Sequence, residues 1–148
     1  MKRKAREQSR AFRVCDARRS GRDSASITVV AVTKTFPPAT VAAIVAAGLP
    51  DVGENYVQEA REKRAAVVTP ARWHLIGGLQ RNKVRAAVAV FDRIHTIDSM
   101  DLAVAVDAEC ERVGRRLPVL VQVNVTGDTA KRGVVPGGVA ALVEGVEK

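Results

Sequence analysis

Ile27-Thr-Val-Val-Ala-Val-Thr33, followed at once by Lys34-Thr-Phe-Pro-Pro38, is the stretch on which the fold turns. Its β-branched, nearly continuous apolar run describes a strand buried on both faces, the habit of parallel sheets covered by helices. Pro37 and Pro38 stop the strand. A helix is expected over 39–47, with Val41, Ile44 and Val45 on one side and Gly48 in the left-handed position that ends it. Strand, polar turn and amphipathic helix thus make one unit, and the pattern recurs down the chain.

The further strands are read at 51–53, 73–77, 93–97 and 119–124, and the further helices at 56–64, 79–90, 99–113 and 138–147, with Ser99 as an N-cap. Right-handed crossovers are expected throughout. Five parallel strands fit either an open doubly wound sheet or the first part of an eight-stranded barrel, and periodicity leaves both open. In either architecture ligands bind beyond the C-terminal ends of the strands. Lys34, Glu54, Asn55, Gly77, Asp98 and Asn124 all stand near such ends.

A chain of 148 residues is long enough for one domain with a real core and too short for two ordinary ones. Its 47% apolar and 27% charged residues describe a soluble globular protein, and no apolar run approaches a membrane span. The net charge of +8 is unevenly placed: residues 1–26 contribute +6 and the rest only +2. With five aromatic residues and no basic face on the folded part, specific nucleic-acid binding is not expected. Residues 1–26 read as a flexible basic segment, or as an eroded first helix carried by Ala11, Phe12, Val14 and Ala17, and residues 27–148 as the domain. Cys15 and Cys110 have no metal-ligand spacing and point to a reducing cytoplasm.

Five motifs in order, Ala31-Val-Thr-Lys-Thr-Phe-Pro37, Asp51-Val-Gly-Glu-Asn-Tyr-Val-Gln-Glu59, Trp73-His-Leu-Ile-Gly-Gly-Leu-Gln-Arg-Asn-Lys83, Ile94-His-Thr-Ile-Asp-Ser99 and Val121-Gln-Val-Asn-Val125 onward through Lys131 and Gly133, carry a resemblance. The chain resembles the pyridoxal phosphate (PLP) homeostasis protein family, whose fold is similar to the barrel domain of alanine racemase. The resemblance implies a partial (β/α)8 barrel of the TIM type, with about five of the eight units present. It implies PLP as cofactor, held by Lys34 as a Schiff base, with Asn55 close to it. It implies a non-catalytic role in intracellular PLP homeostasis, in which the cofactor is handed to PLP-dependent apoenzymes.

The residues carry their own argument. A lysine leaving the end of a buried strand loses its proton more readily by desolvation, and the neutral amine is what condenses with an aldehyde. Asn55 reads equally as a helix N-cap. Glu54 and Glu59 read as capping or decorating the helix, and His74 as a satisfied interior histidine, with no nucleophilic triad or metal site visible around His74 or His95. Two departures from the family stand out: Gly78 replaces a larger residue, commonly histidine, and the strands that would hold the cofactor phosphate are missing. Weak PLP binding and self-association through open strand edges are therefore expected. A racemase-like enzyme, a basic-tail binding module and a non-functional fragment are the competing readings.

Overall fold

The computed structural model describes Ala17 and residues 19–146; Cys15, nearly all of the 11–17 spacing and most of the basic segment lie outside the described residues. Five parallel strands, β1 (Ala31–Val32), β2 (Asp51–Glu54), β3 (Arg72–Leu75), β4 (Arg93–Ile97) and β5 (Val119–Val121), form one sheet in the order β1-β2-β3-β4-β5. Between and after them run the helices α1 (Pro38–Ala46), α2 (Val57–Ala66), α3 (Val84–Val90), α4 (Met100–Arg112) and α5 (Val139–Val146). A doubly wound sheet reverses its strand order at a switch point, whereas barrel strands run round in sequence. The sequential order therefore settles the alternative: this is a partial TIM-type barrel of five β/α units.

The expected β1 over 27–33 shrinks to two residues. Only Ala31 and Val32 keep the ladder, pairing with Val52 and Gly53. β5 also ends early, at Val121; beyond it Val123 bridges to Val134 in the following loop instead of continuing the ladder. The helix expected over 79–90 splits into a 3-10 turn at Arg81–Lys83 and α3. Other expectations hold closely: Pro38 opens α1, Gly48 follows its end at φ 93°, and the Ser99 hydroxyl accepts from the Leu102 amide at 3.4 Å to cap α4.

The core lies between the sheet and the helices. Val52, Leu75 and Ile94 from the strands meet Val41, Ala60, Ala87, Val88 and Phe91, all essentially inaccessible. Burying each of the larger side chains stabilises the fold by roughly 1.5–3 kcal/mol. On the opposite face Val32 is 49% and Leu120 47% exposed, while Asp51 and His74 are buried. Among the described residues β1 and β5 each pair on one side only.

Candidate functional site at the C-terminal edge of the sheet

Lys34 stands two residues past the end of β1, in a tight turn closed by the Phe36 amide donating to the Thr33 carbonyl at 3.1 Å. Thr35 within that turn has φ 66°, a left-handed conformation disfavoured for a β-branched residue. Lys34 itself is exposed, so the burial expected of it at the end of its strand is absent. The side chain instead projects from a rigidly tethered turn.

The tether is a buried polar cluster. Thr33 Oγ1 donates to Glu54 Oε1 at 2.6 Å, and Lys63 Nζ donates to Glu54 Oε1 at 2.7 Å, to Glu59 Oε1 at 2.7 Å and to the Thr33 carbonyl at 2.6 Å. The Thr35 amide donates to Glu59 Oε1 at 2.6 Å. Glu54 is fully buried and Lys63 nearly so. Burial works against the Lys63 charge, but its hydrogen bonds to Glu54 and Glu59 outweigh it and hold the ammonium above the ordinary lysine range. The hydrogen bond from Lys63 holds Glu59 below the usual carboxylate range against the opposing effect of burial, with the Thr35 amide adding to it. Glu54 and Glu59 are thus not decoration, and Lys63 was missed. The signal for it was a glutamate and a lysine four residues apart flanking Ala60, the most buried position of the helix.

Asn55 follows β2 directly and is half-buried, but it does not cap α2: the capping position is Tyr56, and no side chain bonds the helix start. What packs against Asn55 is Gly77, where an added Cβ would lie 2.3 Å from the Asn55 carbonyl oxygen. This close approach, with the Ile76 amide donating to the Glu54 carbonyl at 2.9 Å, seats the ends of β2 and β3 side by side. Beside Gly78, an added Cβ would stand 3.1 Å from an Arg132 guanidinium nitrogen, and Arg132 reaches Asp98 at 3.5 Å. The space that a larger residue at 78 would fill is thus bordered by an arginine from the loop after β5. Asn124 is consumed by that loop: its amide donates to the Asp128 and Lys131 carbonyls, and its Oδ1 accepts from the Thr126 amide and hydroxyl.

A second cluster sits toward the N-terminal edge. Asp51 receives Arg72 through two hydrogen bonds at 2.7 and 2.6 Å, and His74 Nε2 lies 2.9 Å from Asp51 Oδ1. His74 Nδ1 lies 2.9 Å from His95 Nε2. His74 Nε2 faces the Asp51 carboxylate and its Nδ1 faces His95, so the imidazole bridges the two through its two ring nitrogens. Burial pushes the Asp51 carboxyl up, but hydrogen bonds from Arg72 and His74 bring it net below its ordinary value. Burial first, then the charges of His74 and Arg93, lower His95. His74 is the interior histidine expected, and its partners are Asp51 at the start of β2 and His95 on β4.

The described part is therefore a β/α-barrel segment with an exposed lysine on a clamped turn at the C-terminal edge of its first strand. Residues 18–148 match the family described as alanine racemase, N-terminal domain, and the chain belongs to that family. It is 40% identical over 133 residues to a pyridoxal phosphate homeostasis protein of Pseudomonas aeruginosa, covering 89% of this chain and 58% of the relative. To the protein of the same description in Escherichia coli K12 it is 38% identical over 122 residues, covering 80% of this chain and 52% of the relative. The structure of PipY of Synechococcus elongatus with PLP bound is similar at a TM-score of 0.78 and 35% identity, over 94% of this chain and 64% of that one. The chain thus spans about half the length of the curated relatives it matches.

Proposed function

We propose that this chain is the lysine-bearing part of a PLP homeostasis protein, with Lys34 capturing the cofactor aldehyde and Asn55 lining the place beside it. The observation that carries the reading is the exposed Lys34 on the clamped turn after β1, in a chain whose relatives bear that description. PLP supplies an electrophilic aldehyde when bound. The residues present fit the aldehyde end of the cofactor, because Lys34 offers an accessible amine and the Thr33–Phe36 turn holds it at the strand edge where barrel ligands bind. Neither glycine pair among the described residues reads as a phosphate cradle, since Gly77 is spent on the approach to Asn55 and the Pro136–Gly138 turn starts α5.

Function as a carrier without turnover, acting in the cytoplasm on residues 27–148 and passing PLP to apoenzymes, follows the homeostasis role by which the relatives are named. Binding by these five units is weak, and the β1 and β5 edges favour self-association. Incubation with PLP, borohydride reduction and peptide mapping should place the pyridoxyl group on Lys34 among the seven lysines, and Lys34→Ala should abolish it. Labelling elsewhere, or none, overturns the reading. Exchange of amino-acid α-protons in deuterated water should be near background, and rapid exchange would indicate an enzyme instead.

A further inference from the structure

Two peptide units bracket the Cα of Lys34. The carbonyl of the first, that of Thr33, accepts from Lys63 Nζ at 2.6 Å, and the amide of the second, that of Thr35, donates to Glu59 Oε1 at 2.6 Å. Peptide units are planar, so a residue whose two flanking planes are held has little freedom left in φ and ψ, and the direction of its Cα–Cβ bond is set. We propose that the Glu59–Lys63 pair of α2 is a positioning device for the Lys34 amine, aiming one lysine at an incoming aldehyde.

Three features separate this role from ordinary helix support. A pair one turn apart on a helix needs no contact with a neighbouring loop, yet both members bond the backbone on either side of Lys34. Lys63 is 4% exposed, so its charge has been taken from water to reach the Thr33 carbonyl and Glu54. Thr35 keeps a left-handed φ of 66° where glycine would be unstrained, which requires the surroundings to over-determine the turn. Glu54, fully buried on β2, anchors the pair to the sheet, so β1, β2 and α2 converge on one lysine.

The inference rests on the reading of Lys34 as the capturing amine. In that step the neutral amine adds to the aldehyde carbon and one water leaves; borohydride then delivers a hydride and fixes the product as a secondary amine. Glu59 and Lys63 touch neither reactant, so their effect is one of aim. Replacing Lys63 alone would strand the buried Glu54 carboxylate, so the test uses half-buried Glu59 and the paired replacement Glu54→Met/Lys63→Met.

In the full chain, Glu59→Ala should speed hydrogen exchange of the Thr35 amide and lower the share of pyridoxyl label at Lys34, each by about tenfold, as loss of a charge-assisted hydrogen bond would give. Glu59→Gln, which restores an acceptor oxygen, should recover most of both, and the double replacement should lower the Lys34 share with circular dichroism unchanged. Fast Thr35 exchange in Glu59→Ala with Lys34 labelling undiminished overturns the positioning role, as does unchanged exchange. Absence of Lys34 label in the unsubstituted chain is a different failure: it removes the capture reading and this proposal with it.

Discussion

At the scale of single residues, the buried charges carry the sharpest consequences. Lys63→Met leaves the Glu54 carboxylate uncompensated in the core and should cost about 3–5 kcal/mol, whereas Glu54→Met/Lys63→Met should cost far less, which urea unfolding of both variants would show. The histidine pair gives a pH dependence. His95 has a folded pKa below its ordinary 6.5, so the unfolded chain binds the proton more readily, and stability complete above 6.5 declines as pH falls through that value toward the folded pKa. His95→Asn should flatten that decline in a series of unfolding curves. Asp51, also lowered, adds a loss only at more acid pH, below its ordinary 3.8. Lys34 could be named from the sequence because a strand ended in front of it; its clamp could not, because Thr33, Glu54, Glu59 and Lys63 meet only when α2 packs back across β1 and β2.

At the scale of elements, the contacts between strand ends decide which glycines matter. An alanine at 77 would drive its Cβ into the Asn55 backbone at 2.3 Å, and backbone cannot swing aside. Gly77→Ala should therefore destabilise by about 1–3 kcal/mol and disturb Asn55. At position 78 the nearest atoms belong to the exposed Arg132 side chain at 3.1 Å, which can move, so Gly78→Ala should change stability by less than about 1 kcal/mol. Parallel chemical-denaturation curves would check both, and an equal effect would overturn the distinction. Helix ends followed local rules, as Ser99 and Gly48 show, because a cap is decided by a few neighbouring residues. The strand ends did not: β1 keeps two paired residues, and the chain after β5 turns to bridge Val134.

At the scale of the whole molecule, the sheet is a barrel segment with helices over one face and exposed apolar side chains at the edges of the other. Val32 and Leu120, 49% and 47% exposed, lie on the two strands that, among the described residues, pair on one side only. Unpaired edges beside exposed apolar side chains favour pairing with another chain. Sedimentation should show concentration-dependent association, and Leu120→Lys should weaken it; a monomer at all concentrations would overturn this expectation. None of the described helices is long and apolar enough to cross a membrane.

The sequence by itself determined the β/α repeat, the sites of most helix ends and the lysine at the close of the first strand, since each depends on residues adjacent along the chain. Tertiary structure decided that the sheet runs in sequence as a barrel segment, that Asn55 abuts Gly77, and that Asp51, His74 and His95 are joined by hydrogen bonds. It also decided that Lys63, buried and charged, holds the turn of Lys34. These rest on pairing between strands and helices distant in sequence, and hydrogen bonds made across such distances leave no periodic trace in the chain that makes them.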